Sequence, residues 1–315
     1  MRLKVLSLSI IVSICAFFGM NVFANYFTGF WYDLELAKRP ELITASVNQG
    51  LMNRELADLK LTREKIANLK KLPINSRVAI SVQGDRELFS INPDDRVPFA
   101  SITKLMTAVV VFDNYELDLL VPISEKAVNQ EGDSKYGNLV IGEKLTVENL
   151  LYTMLIESSN DAAYALTEPV GYDAFIELMN FQAKKIGMNE TYFVNPSGLE
   201  PDDPEKTKNY STARDLIKLV NYILEKYPKI FEITTHNYYQ ILNPDGSVHH
   251  AIKSNTNKLL EEFPEIIGGK TGYSPAAGEC LLTIFKDRQG RQYINIILGS
   301  RDRFGEMREI INTIQ

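Results

Sequence analysis

Three short motifs, in this order, carry groups that together could perform acyl transfer through a serine: Ser101-Ile102-Thr103-Lys104, Ser158-Ser159-Asn160 and Lys270-Thr271-Gly272. The first supplies a hydroxyl nucleophile with an amine three residues on. The second adds a hydroxyl and an amide, and the third a cation and a hydroxyl suited to holding a carboxylate. Singly the motifs are weak: S-x-x-K arises by chance roughly once in a chain of this length, and K-T-G in about one such chain in ten. S-x-N also occurs at Ser46-Val47-Asn48 and Ser90-Ile91-Asn92, both ahead of Ser101 and so out of order.

The elements around each motif decide whether the groups can meet. Pro98 keeps Val97 extended, and the apolar run from Ile102 to Phe112 predicts a buried helix with Ser101 at its N-terminus. Lys104 then lies one turn along the same face. The plain alternative is an N-cap serine followed by a surface lysine, but a lysine inside so apolar a helix is driven by burial towards the neutral form that a general base needs. Leu150 to Ile156 predicts a second helix, and Asp161 is expected to cap a third over Ala162 to Leu166. Ser158-Ser159-Asn160 is the joint between them, able to point side chains into a cleft, although an ordinary polar connection would read alike.

Ile266-Ile267-Gly268-Gly269 leads into a strand on which period-two geometry puts Lys270 and Gly272 on one face and Thr271 on the other. Its plain alternative is an edge strand with a solvated lysine. A turn at Ser274 to Gly278 and a hairpin of Glu279 to Lys286 with Arg291 to Leu298 follow. With strands near Val78 to Val82 and Glu87 to Ile91, the pattern predicts an α+β fold: an antiparallel five-stranded sheet flanked by helices. Phe304, Met307, Ile310, Ile311 and Ile314 predict a last amphipathic helix lying on the sheet.

The chain resembles the D-alanyl-D-alanine carboxypeptidases, the low-molecular-mass penicillin-binding proteins. The resemblance rests on Val97-Pro98-Phe99-Ala100-Ser101-Ile102-Thr103-Lys104-Leu105-Met106-Thr107-Ala108, Ser159-Asn160-Asp161-Ala162-Ala163, Phe193-Val194-Asn195-Pro196 with Gly198-Leu199, Tyr210 to Leu216, Ser254 to Leu260, and Lys270 to Gly278. It spans about residues 74 to 312. It implies a DD-peptidase/β-lactamase-like fold, with peptidoglycan stem peptides as substrate and β-lactams as covalent inhibitors. Carried over residue by residue, it implies that Ser101 attacks the penultimate D-alanine carbonyl with Lys104 as base, and that Ser158 passes the proton to the leaving amine. Asn160 would bind the substrate backbone, and Lys270 and Thr271 the terminal carboxylate; Gly268, Gly269 and Gly272 by their lack of side chains leave room for a substrate backbone to approach. The backbone N–H groups of Ser101 and Tyr273 would make the oxyanion hole. No metal and no other cofactor is implied. Longer family members carry a further β-rich domain, whereas 43 residues follow Gly272 here, so a single catalytic domain is expected.

Close rivals are a DD-endopeptidase that cuts cross-links, a β-lactamase, and a non-catalytic peptidoglycan-binding protein. A class A β-lactamase would place Asp where Ser159 stands and needs an E-x-x-L-N loop, which this sequence lacks.

Composition fits an enzyme with a full core, 45% hydrophobic and 23% charged. A formal charge of −6 and the lack of a basic run argue against nucleic acid as a partner. The histidines are His236, His249 and His250, and the last two read as solvated polar surface in a loop after Pro244-Asp245-Gly246. Of the cysteines, Cys15 and Cys280, only the second falls in the globular part, which excludes a disulfide within it. Arg2 and Lys4 followed by the uncharged stretch Val5 to Ala24 predict a signal peptide or membrane anchor over residues 1–24, with Val22-Phe23-Ala24 permitting cleavage. Tyr26, Phe27, Phe30, Trp31 and Tyr32 resemble an interfacial aromatic belt and favour a retained anchor and membrane contact. A charged, partly helical spacer is expected over residues 25–72 and the catalytic domain over 73–315. Either reading of the leader puts the domain outside the cytoplasm.

Overall fold

The structure is a computed structural model and describes residues 48–49, 51–53, 60, 63–130, 137–201, 203 and 205–315. Residues 1–24, on which the leader was read, lie outside the described residues, as does most of the spacer. No helix among the described residues is long and apolar enough to cross a membrane.

After helical residues 48–49, 51–53 and 60 comes a helix at residues 63–69 (α1). Then follow Val78–Gln83 (β1), Arg86–Ile91 (β2), a 3-10 turn at Ala100–Thr103, Lys104–Asn114 (α2), Leu120–Pro122 (β3), Glu125–Val128 (α3), Lys144–Thr146 (β4), Val147–Ile156 (α4) and Asn160–Ala165 (α5). The second half holds Tyr172–Lys185 (α6), Ala213–Lys226 (α7), Lys229–Thr234 (α8), Tyr239–Leu242 (β5), Val248–Ile252 (β6), Ile266–Ser274 (β7), Gly278–Lys286 (β8), Gln292–Ser300 (β9) and Arg303–Ile314 (α9).

The expected sheet is present: five strands in the order β2-β1-β9-β8-β7, every neighbouring pair antiparallel. Side-chain alternation divides two cores across it. Val78, Ile80 and Val82 of β1 join Leu282, Ile284, Ile294, Ile296 and Leu298 on the face covered by α2 and α4 to α8. Ala79, Leu281, Phe285, Tyr293 and Ile297 point the other way, against Met307, Ile310, Ile311 and Ile314 of α9. Because both faces are covered, β8 and β9 read as nearly continuous apolar runs rather than as alternating ones.

Lys65–Gln315 forms one compact unit, which begins ahead of residue 73. The reason lies in α1, whose Leu69 is wholly buried in the α9-side core with Ile66 packed beside it. Lys65 Nζ reinforces this by donating to the carbonyl of Ile314 and, at 3.4 Å, to Tyr293 Oη.

Two small sheets, β3 with β4 and β5 with β6, were not foreseen. The second corrects the reading of His249 and His250. They sit on β6, each side chain about one-tenth exposed, with His249 Nε2 2.8 Å from Glu143 Oε2.

Candidate active site

The first motif folds as a 3-10 turn leading into α2, so the α-helix begins at Lys104 and not at Ile102. Ala100 adopts φ 47°, a left-handed conformation that costs an alanine about 1 kcal/mol or more. That bend leaves Ser101 partly exposed while Ile102, Thr103 and Lys104 are buried. Lys104 Nζ donates to Ser101 Oγ at 2.8 Å, to Asn160 Oδ1 at 2.6 Å and to the carbonyl of Ser197 at 3.0 Å. Several acceptors around the amine fix its position.

In the second motif α4 stops at Ile156 and Ser158 turns the chain with φ 67°. Ser159 is the true cap of α5: its Oγ accepts from Ala162 N at 3.2 Å, where Asp161 was expected to cap. With Ser159 turned inward and fully buried, Ser158 and Asn160 on either side are left partly exposed. Both reach the lysines of the other two motifs.

The third motif lies on β7, at the edge of the sheet. It is not a solvated edge: Lys270 is 1% exposed and Thr271 4%. Lys270 Nζ donates to Ser158 Oγ at 2.9 Å and to its neighbour's carbonyl, Thr271 O, at 3.1 Å, and Thr271 Oγ1 donates to Thr256 Oγ1 at 2.7 Å. Burial first, then the positive charges of Lys104 and Arg303, hold the Lys270 amine well below the usual lysine range. Gly272 passes so near the turn holding Ser101 that a Cβ would stand 3.0 Å from Phe99 O and 3.1 Å from Ser101 N. That approach brings the backbone beside Tyr273 to the start of the turn holding Ser101, with the Tyr273 side chain itself two-thirds exposed at 66%.

Hydrogen bonds and close approach thus bring Ser101, Lys104, Asn160, Ser158, Lys270, Thr271 and Gly272 together, with Tyr273 next along β7. Three neighbours were missed. Arg303, at the start of α9, donates through Nη1 to Gly272 O at 2.6 Å. Its guanidinium, whose pKa is lowered by burial, adds positive charge near Lys270. Asn209 donates to Thr103 Oγ1 and Asn195 O, each at 3.0 Å, tying the turn that holds Ser101 to the segment that carries Ser197. Thr256 completes the set and lies within one of the stretches that carry the resemblance.

A scissile carbonyl placed over Ser101 Oγ would meet a hydroxyl, an amine, a second hydroxyl and a cationic strand within this single cleft, the equipment of a serine acyl-transferase. The comparisons agree. A family profile described as D-alanyl-D-alanine carboxypeptidase matches residues 63–302. The chain is 34% identical to the D-alanyl-D-alanine endopeptidase of Escherichia coli over 226 residues, covering 69% of this chain and 68% of that one. It is 32% identical to the D-alanyl-D-alanine carboxypeptidase of Streptomyces sp. (strain K15) over 227 residues, 68% and 76% of the two chains. The crystal structure of the Streptomyces K15 DD-transpeptidase superposes with a TM-score of 0.69 at 29% identity, covering 78% of this chain and 98% of that one. The chain belongs to the D-alanyl-D-alanine carboxypeptidase family, and it is a serine-type peptidase with the α+β DD-peptidase fold.

Proposed function

We propose that the enzyme removes the terminal D-alanine from peptidoglycan stem peptides through an acyl-enzyme on Ser101, and that β-lactams acylate the same hydroxyl. The observation that carries this reading is Lys104 Nζ, 2.8 Å from Ser101 Oγ and 2.6 Å from Asn160 Oδ1. In its neutral form Lys104 takes the hydroxyl proton as Oγ attacks the penultimate D-alanine carbonyl. Charge gathers on the carbonyl oxygen, which the N–H groups of Ser101 and Tyr273 would receive, contacts of a kind worth roughly 3 to 4 kcal/mol. As the tetrahedral intermediate collapses, the C–N bond breaks, the proton passes through Ser158 to the departing amine, and D-alanine leaves. Water then attacks the ester, giving its proton back by the same route and restoring Ser101.

Asn160 offers its amide to the substrate backbone, and Lys270 with Thr271 orients the terminal carboxylate. Arg303 adds positive charge behind them. Gly272 keeps the strand free of a side chain where the peptide must pass.

The Escherichia coli relative is named an endopeptidase, and the same acyl-enzyme chemistry would open a cross-link. Muropeptide digestion analysed by mass spectrometry separates the two: loss of one alanine mass from pentapeptides supports the carboxypeptidase, conversion of dimers to monomers the endopeptidase. Ser101→Ala should fold and take up no penicillin in an intact-mass measurement, and full penicilloylation of that variant would refute the nucleophile assignment.

Activity on peptidoglycan places the enzyme outside the cytoplasm. In this reading residues 1–24 export the chain and stay as its membrane tether, residues from 25 to about 72 form the spacer, and the catalytic domain follows. Fractionation with N-terminal sequencing tests the tether, which a mature chain starting at Asn25 and released without detergent would refute.

A further inference from the structure

Glu200 belongs to none of the three motifs, yet its carboxylate grips the turn that follows the third. Glu200 Oε1 accepts hydrogen bonds from Ser274 Oγ and, at 2.9 Å, from Ala276 N, while Ser274 Oγ accepts from Ala277 N at 3.2 Å. A glutamate from a distant loop thus caps the turn between β7 and β8.

Tyr273, whose N–H is the second oxyanion donor of the proposed mechanism, lies between two anchored residues. On one side Gly272 O takes the Arg303 guanidinium at 2.6 Å, and on the other Ser274 takes Glu200. The Tyr273 side chain, 66% exposed, contributes little to holding its own backbone in place. Glu200 is itself rooted at the catalytic turn. Just before it, Ser197 O accepts from Lys104 Nζ at 3.0 Å, and at Gly198 a Cβ would stand 2.0 Å from Ala100 O. Asn195 Oδ1 stiffens this segment by accepting from Ser197 N at 3.2 Å and Gly198 N at 2.7 Å. One short stretch of chain therefore touches the base, the nucleophile's turn and the oxyanion strand.

We propose that Glu200 is a positioning residue that clamps Ser274 and so fixes the Tyr273 N–H relative to Ser101. The inference rests on the reading of Ser101 as nucleophile. A reacting group misplaced by about 1 Å loses on the order of a hundredfold in rate. Lys270 and Thr271, upstream on the strand, are not held by Glu200, so ground-state binding survives when the clamp is lost.

The test compares wild type, Glu200→Ala, Glu200→Gln, Ser274→Ala and the Glu200→Ala/Ser274→Ala double variant in the full chain, by acylation with a chromogenic β-lactam, by D-alanine release from a peptide ending in D-Ala-D-Ala, and by thermal melting. Glu200→Ala should lower kcat and the limiting acylation rate by about tenfold to a hundredfold with KM changed by less than about threefold. Glu200→Gln, whose amide oxygen accepts the same two hydrogen bonds, should recover to within about threefold of wild type. Adding Ser274→Ala to Glu200→Ala should cost little more, since both break one link. An unchanged kcat in Glu200→Ala, a loss confined to KM, equal damage from Ala and Gln, or a loss that only tracks a lower melting temperature would each overturn the clamp. A wild-type chain that β-lactam does not acylate would remove the reading of Ser101 and the clamp with it, whereas an acylated wild type beside an indifferent Glu200→Ala removes the clamp alone.

Discussion

Ser158 Oγ takes a hydrogen bond from Lys270 Nζ at 2.9 Å, so the hydroxyl of the second motif is held by the amine of the third. Lys104 makes the matching link on the other side of the cleft, to Ser101 and Asn160. Both lysines are almost fully buried, and each disfavours the other's charge. Burial is the largest influence on Lys270, followed by Lys104 and Arg303. A cleft with this concentration of positive potential is prepared for an anion, because an incoming carboxylate relieves the repulsion as it forms its own hydrogen bonds.

In the proposed mechanism that arrangement makes Lys104 the most sensitive side chain after Ser101. Lys104→Ala should slow penicillin acylation by roughly 10²- to 10⁴-fold, the usual range for loss of a general base. Lys104→Arg should not rescue it, since a guanidinium cannot give up its proton. Asn160→Ala removes one of the acceptors around Nζ and should cost less, about tenfold. Stopped-flow acylation measures all three, and a Lys104→Ala rate equal to wild type would move the base elsewhere.

Gly198 reports on the packing behind the nucleophile. Its φ is +81° and an added Cβ would fall 2.0 Å from Ala100 O, a backbone atom with no freedom to swing aside. Gly198→Ala should therefore destabilise by about 1–3 kcal/mol and also slow acylation, because the turn at Ala100 must shift and Ser101 with it. Urea denaturation and acylation rates together check this. A variant with wild-type stability and rate would mean the turn yields more easily than its geometry implies.

Leu69 tests where the catalytic unit begins. It is wholly buried against the α9-side core, so Leu69→Ala should cost about 2–5 kcal/mol in a denaturation experiment. A cost below about 1 kcal/mol would return α1 to the spacer. Activity at low temperature should be untouched, since the helix lies on the side of the sheet away from α2.

Much of this fold was readable because its elements follow simple periods. β8 and β9 are apolar runs bounded by turn residues, and α9 repeats its apolar residues at helical spacing, so their existence could be inferred without knowing what they touch. The three motifs were readable for the same local reason. What escaped depends on contacts between distant residues. Arg303 acts on Gly272 from 31 positions away and Glu200 on Ser274 from 74, and no local pattern marks either. Asp161 was misread as a cap because the positive φ of Ser158 sets the start of α5 at Asn160, leaving Ser159 in the capping place. For the histidine pair the turn was right, with Asn243 N donating to Ser247 O at 2.8 Å. The strand after it then folds back on β5 and brings His249 to Glu143, 106 residues away.

Lys270 carries the last prediction, which concerns pH. Its amine is held well below the usual lysine range in the free enzyme, chiefly by burial. In the window between that depressed value and the unfolded value of about 10.4, the unfolded chain binds more protons than the folded one, so stability rises with pH there. Lys270→Met should flatten that slope and raise stability near neutral pH by about 0.5–2 kcal/mol, at the expense of activity. Substrate reverses the sign. A carboxylate beside Lys270 raises its pKa, so binding favours the protonated amine and is strongest below the free enzyme's value. For a peptide ending in D-Ala-D-Ala, KM should climb as pH passes that value, while the same peptide with a C-terminal amide should bind weakly and with little of this dependence. Lys270→Met should erase most of the difference between the two. Steady-state kinetics over a pH series decides it: equal KM profiles for acid and amide would show that Lys270 does not hold the carboxylate, and would favour an enzyme that accepts internal bonds.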